Sequence, residues 1–275
     1  MAFTFETLIL LVLFGFFVGM VAAMAGIGGG VFIVPTLSLI FGFTSHNAVG
    51  TSLAVIVFTS LTSTFAYSRQ RRIDYKIGLV SAIMTIPGAL VGAYLTTLIN
   101  ERLLGVIFSI FLIFVALRML LNLKMDMNVS HGFLPRKFGL WHRRIIDSAG
   151  ERFEYEANIL LGFALSFFGG LSSGLLGIGG GAVMVPIMHL AMGMPIHITV
   201  ATSMFIMVFT SISGVLQHLS YGNVNLEYAA CIALGVVFGA QLGAYTARKV
   251  PSKSLRRFFG VILLIISFRL LLKFV

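Results

Sequence analysis

The stretch AGIGGGVFIVP, residues 25–35, returns as LGIGGGAVMVP at residues 176–186. The step is 151 residues, and the same ungapped step aligns far more than the glycines. His46 falls on His197, Thr51-Ser52 on Thr202-Ser203, and Val57-Phe58-Thr59-Ser60 on Val208-Phe209-Thr210-Ser211. GALVGAY, residues 88–94, falls on GAQLGAY, residues 239–245, and Arg118 falls on Arg269. A chain written twice must fold as two copies of one unit that bury surface against each other. The boundaries follow as a first repeat over residues 1–121, a connecting loop over 122–157 and a second repeat over 158–275.

The medium in which the copies fold is set by composition. The chain is 58% hydrophobic and 10% charged, with a mean hydropathy of +1.02, so it cannot clothe itself in polar surface. Apolar runs such as 8–24, 77–99, 103–121 and 258–272 approach or reach the ~20 residues of a spanning helix. They are apolar all round, unlike the alternating strands of a membrane barrel. The expected class is an all-α polytopic membrane protein. Each repeat reads as a glycine-broken helical hairpin plus three transmembrane helices, about ten helical segments in total with eight as the rival count. Residues 7–24 read as a retained helix, because no Lys or Arg precedes them as in a signal peptide. Tyr67, Tyr75, Tyr221 and Tyr228 sit at predicted span ends, where interfacial aromatics belong.

The formal net charge of +10 reflects loops, not a nucleic-acid surface. Arg69, Arg71, Arg72 and Lys76 crowd one loop of the first copy, whose counterpart at 219–227 holds no Lys or Arg. The next loop reverses the bias, with Arg248, Lys249, Lys253, Arg256 and Arg257 in the second copy against Arg102 alone in the first. Basic loops stay cytoplasmic, so corresponding loops lie on opposite sides and the repeats are inverted. The mixed-charge connecting loop is then cytoplasmic. It reads as a solvated linker, with an amphipathic surface helix over the inner mouth as the alternative.

Consecutive glycines are the wrong choice for a plain span, since Gly is a poor helix former. They suit a turn that aims several N–H groups at one point, with a helix start adding the positive end of its dipole. Two such starts brought together by inversion make an anion site at the membrane midplane. The candidate site residues are Gly28, Gly29, Gly30, Gly179, Gly180 and Gly181, with hydroxyls from Thr51, Ser52, Thr202 and Ser203. Close helix packing through small residues is the competing use of the glycines. All nine Asp and Glu lie in predicted loops or tails, which argues against a cation pathway. His46, His197, His189 and His218 are then the titratable types available for proton coupling, and Gln217 and Gln241 are candidate lining groups. No GK[ST] follows either glycine run, the lone Cys231 excludes an internal disulfide or cysteine metal site, and no catalytic constellation is visible. Neither a metal nor a cofactor is called for.

Gly26-Ile27-Gly28-Gly29-Gly30 with Val34-Pro35 and Thr51-Ser52, and their second-copy counterparts, give the chain an end-to-end resemblance to the TauE/SafE family of sulfite exporters and permeases. The resemblance implies transport of a small sulfur-containing oxyanion or organosulfonate, such as sulfite or sulfoacetate, across the cytoplasmic membrane. Some members carry a Cys or Asn-Pro lead-in where this chain has Ala25-Gly26-Ile27, so substrate preference does not carry over. The resulting expectation is a multi-pass inner-membrane secondary transporter working by alternating access. Its alternatives are a passive anion channel and a non-transporting membrane scaffold. Its partners are a small anion and the lipid bilayer, with a homodimer as an option and no nucleic acid.

Overall fold

The computed structural model describes residues 5–121, 139–247 and 252–274. The first part of the connecting loop, 122–138, and Arg248 and Lys249 of the second basic loop lie outside the described residues. In the first copy the helices are α1 (Phe5–Ala25), α2 (Gly30–Leu39), α3 (Ser45–Arg69), α4 (Tyr75–Leu98) and α5 (Glu101–Leu121). The second copy repeats them as α6 (Ile159–Leu176), α7 (Gly181–Pro186, continued by a π turn over Ile187–Ala191), α8 (Ile196–Ser220), α9 (Leu226–Thr246) and α10 (Ser252–Phe274). Six of these, α1, α3, α4, α6, α8 and α9, are long and apolar enough to cross a membrane. The short arms α2 and α7 are not, as their sequence length foretold. The chain is a multi-pass α-helical membrane protein.

Helix starts follow ordinary capping chemistry. Thr44, Asp74, Asn158 and Asn225 each accept a bond from the backbone N–H three residues on. Pro35 and Pro186 fall at the sixth residue of their helices, deeper than a first-turn position. At Pro186 the α-helix gives way to the π turn, whereas α2 runs on through Pro35 to Leu39.

The copies interlock rather than sit side by side. α1 packs along α9 and α4 along α6, each pair crossing from one copy to the other. Glycines at four-residue spacing make these seams. A Cβ on Gly15 or Gly239 would lie 2.1 or 1.9 Å from the carbonyls of Ile232 and Phe16, and one on Gly88 or Gly174 2.3 or 2.0 Å from those of Phe167 and Ala89. Small residues let backbones approach this closely, the dominant route to helix association in lipid. α3 and its counterpart α8 run antiparallel through the centre: the α8–α9 turn lies beside the start of α3, and the N–H of Asp74, beyond the end of α3, reaches Thr202 in α8. Outward faces carry Phe17, Phe65, Ile83, Phe114, Phe168, Leu216 and Phe238, all more than 45% exposed, an apolar coat made for lipid.

The connecting loop departs from both expectations. Residues 140–158 are neither solvated linker nor amphipathic helix but an antiparallel β-hairpin, β1 (Leu140–Ile146) paired with β2 (Arg152–Asn158). The signal was present in RFEYEAN, whose alternation sends Tyr155 and Ala157 inward and Arg152, Glu154 and Glu156 out. Tyr155, Ala157 and Ile159 pack with Met184, Met188, Met192, Met194 and Ile198 in an apolar cluster of their own. Two of the expected interfacial aromatics are also internal. Tyr67 is 2% exposed and its hydroxyl donates to the Ala23 carbonyl at 2.8 Å, while Tyr228 is buried edge-on against Phe41 and Phe43.

Candidate functional site

Each helical hairpin turns through glycines in the left-handed region. Gly26, Gly28 and Gly29 have φ of 73°, 82° and 91°, and Gly177, Gly179 and Gly180 have 68°, 75° and 80°. Side chains other than glycine rarely hold that conformation, so the matched pattern explains the matched sequence. α2 and α7 begin at once afterwards with no side-chain cap. The first helical N–H groups to find acceptors are those of Phe32 and Ile33 on the Gly29 carbonyl, and of Val183 and Met184 on the Gly180 carbonyl. Among the described residues, the N–H groups of Gly28 to Val31 and of Gly179 to Ala182 donate to no protein acceptor. All six candidate glycines are buried. Unpaired buried amides are costly, and clustered at two helix starts they form a field suited to negative charge.

The two turns touch. A Cβ on Gly30 would lie 2.1 Å from the Gly177 carbonyl oxygen, and one on Gly181 2.4 Å from that of Gly26. Gly30 and Gly181 are equivalent positions, as are Gly26 and Gly177, so the crossing obeys the 151-residue step. The space between the turns is filled by a further equivalent pair that sequence reading passed over, Ile56 of α3 and Met207 of α8. A Cβ on Gly28 would stand 2.8 Å from Met207 Sδ, and one on Gly179 2.8 Å from Ile56 Cγ2. Both side chains are fully buried, so the amides are covered by apolar atoms in this state. The step from Ile56 to Met207 is the signal that could have found them.

The candidate hydroxyls are engaged across the copies. Ser52 Oγ donates to the Gly177 carbonyl at 2.7 Å, and Ser203 Oγ to the Gly26 carbonyl at 3.0 Å. Thr51 Oγ1 accepts from the Asn225 N–H and Thr202 Oγ1 from the Asp74 N–H, both at 3.0 Å. The Ser pair thus clamps the glycine turns, and the Thr pair anchors the loops that lead into α9 and α4. His46 is half-buried, with Nε2 against the Thr96 and Ile99 carbonyls, whereas its counterpart His197 is exposed at the other end of the bundle. His189 is also exposed, its Nδ1 on the Met194 carbonyl. Gln217 donates to the Tyr221 hydroxyl just past the end of its own helix, and Gln241 lies on the outer face of α9 beside Phe238 and Leu242. Neither glutamine joins the glycine turns.

The two ends of the bundle differ. Around the start of α3 and the α8–α9 turn, Gly42, Phe43, Thr44, Asn47, Gly222, Val224 and Asn225 line an open cavity of about 320 Å³. The equivalent place at the other end is occupied by the hairpin. Buried Asp74, equivalent to Asn225, receives Arg143 Nε and Nη2 at 2.8 and 2.9 Å and the Tyr155 hydroxyl at 2.7 Å. Its own hydrogen bond to Asp74, with the Asp74 charge, raises the Arg143 pKa, while burial first and the carboxylate second push the Tyr155 phenol well above its ordinary value. A second pair joins Arg72, 5% exposed, to Asp147, 3% exposed, at 2.8 Å. Burial would raise the Asp147 carboxyl, but the Arg72 guanidinium and the N–H groups of Ala149 and Glu151 hold it below the ordinary range. Loop carboxylates therefore do enter the protein, each with a cationic partner.

A family profile described as "Sulfite exporter TauE/SafE" matches residues 11–270. The chain belongs to the TauE/SafE family. It is 38% identical over 271 residues to the "Probable membrane transporter protein YunE" of Bacillus subtilis, covering 96% of this chain and 97% of that one. It is 25% identical over 291 residues to a "Probable membrane transporter protein" of Haemophilus influenzae, covering 98% and 100%. With the "Sulfite exporter TauE/SafE family protein 6" of Arabidopsis thaliana it shares 32% identity over 117 residues, 42% of this chain and 27% of that one. No solved structure matches. TauE/SafE is a family of membrane transporters, not of enzymes.

Proposed function

We propose that this TauE/SafE protein is a secondary transporter of the cytoplasmic membrane for a small sulfur-containing oxyanion or organosulfonate, such as sulfite or sulfoacetate. The anion is held where the two glycine turns cross, near the membrane midplane, and the two inverted halves expose it to each side in turn. One observation carries the reading: in two glycine turns that touch, the N–H groups of Gly28 to Val31 and of Gly179 to Ala182 donate to no protein acceptor among the described residues. Discontinuous helices that aim their starts at a central anion are the pattern by which secondary transporters bind negative substrates. No acidic side chain stands among the residues that meet there. Withdrawal of Ile56 and Met207 uncovers the amides, so this pair acts as the inner wall of a closed site.

The test is reconstitution in liposomes with radiolabelled sulfite, sulfoacetate, sulfate and thiosulfate. Saturable counterflow of at least one sulfur anion is expected, which also separates a carrier from a passive channel. Gly29→Ala, whose Cβ would meet side chains and no backbone, should weaken it while the bundle still purifies as a folded membrane protein. Silence toward all four anions would sink the substrate class.

A further inference from the structure

His218 is the one histidine fully buried in the helical bundle among the described residues, and the 151-residue step pairs it with Tyr67. The two do the same mechanical work. Tyr67 Oη donates to the Ala23 carbonyl at 2.8 Å, and His218 Nε2 bonds the carbonyl of Gly174, the residue equivalent to Ala23, at 3.0 Å. Each ties a central helix to the first helix of its own copy. A phenol suffices for that tie, so the structural role does not explain an imidazole. What the imidazole adds is Nδ1, which is buried and has no hydrogen-bond partner. With Nε2–H donating to Gly174, Nδ1 carries the lone pair and is free to take a proton.

We propose that His218 is the proton-binding residue that couples anion movement to a proton gradient, an inference that rests on the carrier reading above. Its place suits the task. The His218 backbone carbonyl accepts the Asn223 N–H, and Asn223 adjoins Gly222 and Val224 of the open cavity, so residue 218 stands one hydrogen bond from that mouth. Gly174 is three residues, about 5 Å of helix, before Gly177, where the second glycine turn begins. On the α3 side the His218 Cβ packs at Gly50, six residues or about 9 Å of helix from Ile56. The neighbours that titrate are few. His46, one turn before Gly50 on α3, acts on it electrostatically, and Tyr221, just past the end of α8, meets the ring edge-on at 6.4 Å. α6 offers the Gly174 carbonyl, the α8–α9 turn offers Asn223, and no carboxylate acts on the ring among the described residues. An imidazolium there lacks a fixed counter-charge, and an anion on the amides lacks one too. Each is costly alone in a membrane interior, and each offsets the other when both are bound. Proton and anion therefore load and move together.

The experiment uses proteoliposomes with radiolabelled sulfite and sulfoacetate and a trapped pH dye. Wild-type protein should accumulate anion when the outside is acid, by roughly tenfold per pH unit for one proton per anion, with matching lumenal acidification. His218→Tyr installs the residue of the equivalent position and keeps the tie to Gly174. It should keep only a weaker counterflow under equal pH, since the anion then lacks its counter-charge, and should lose gradient-driven accumulation, its ratio falling to about one. If the bulk of Tyr prevents folding, His218→Gln reads the same distinction. A His218→Tyr protein that accumulates as wild type does, or a wild type that exchanges anion but ignores the gradient, overturns the assignment and leaves the carrier standing. A wild type without counterflow takes the carrier reading down and this inference with it.

Discussion

The two ends of the central helix pair are built alike and finished differently. At one end Asn225 caps α9 and lends its N–H to Thr51; at the other, Asp74 caps α4 and lends its N–H to Thr202. The cap and cross-copy distances agree to the tenth of an ångström, 3.2 and 3.0 Å at both ends. Yet Asn225 borders an open cavity, while Asp74 is 1% exposed beneath the hairpin. A carboxylate has acceptor capacity to spare after capping a helix, and Arg143 and Tyr155 take it up. One changed side chain in a repeated frame thus lets a segment outside the repeat seal one face.

The largest effect tests what the ends share. Gly30→Ala and Gly181→Ala each push a Cβ onto a carbonyl of the other copy, at 2.1 and 2.4 Å. No side chain can yield there, since the atoms are backbone. Both variants should fail to yield folded protein, read as loss of a monodisperse peak in detergent. If either one alone folds and transports, the crossing is not the common frame it is taken to be.

Next comes the difference itself. Asp74→Asn gives the closed end the residue of the open end, keeps the helix cap and strips Arg143 of its partner. Breaking a largely buried pair costs about 3 kcal/mol; Arg143, 20% exposed, can turn partly to water, which places the loss at the lower side of that range. The hairpin should loosen while the bundle holds. Hydrogen exchange at residues 140–158 should rise by two orders of magnitude or so, with little change in α3 and α8. Unchanged protection would show that the apolar cluster around Tyr155 and Met194, not the ion pair, holds the seal.

Much of this frame was legible in the chain. The repeat step, the ten helices and the glycine turns follow from periodicity and from the left-handed geometry that only Gly adopts freely. Other features were not legible because they arise from partners far apart in sequence. Thr51, Ser52, Thr202 and Ser203 read as free hydroxyls until the copies interlock, whereupon each finds a backbone group 125 or more residues away. Tyr67 read as interfacial because it lies near a helix end, but its hydroxyl is spent inside on Ala23. The hairpin escaped notice because a composition rich in both charges masked a two-residue alternation. Ile56 and Met207 look like ordinary core residues, and only the crossing of the turns makes them the cover of a site.

The smallest effect sharpens the comparison most. Thr51→Val and Thr202→Val delete equivalent hydroxyls, each fully buried, and each leaves one backbone N–H without an acceptor. An orphaned buried donor costs about 1 to 3 kcal/mol, but only where water cannot replace the lost partner. The Asn225 N–H stands beside an open cavity and the Asp74 N–H beneath a docked hairpin. Thr202→Val should therefore cost about 2 kcal/mol and Thr51→Val under about 1 kcal/mol, a difference visible in paired thermal melts in one detergent. Equal losses would mean that water reaches both ends alike, and the inequality between the faces would then be one of shape and not of access. Combined with Asp74→Asn, the Thr202→Val cost should shrink toward that of Thr51→Val, because loosening the hairpin admits the water that the intact seal keeps out.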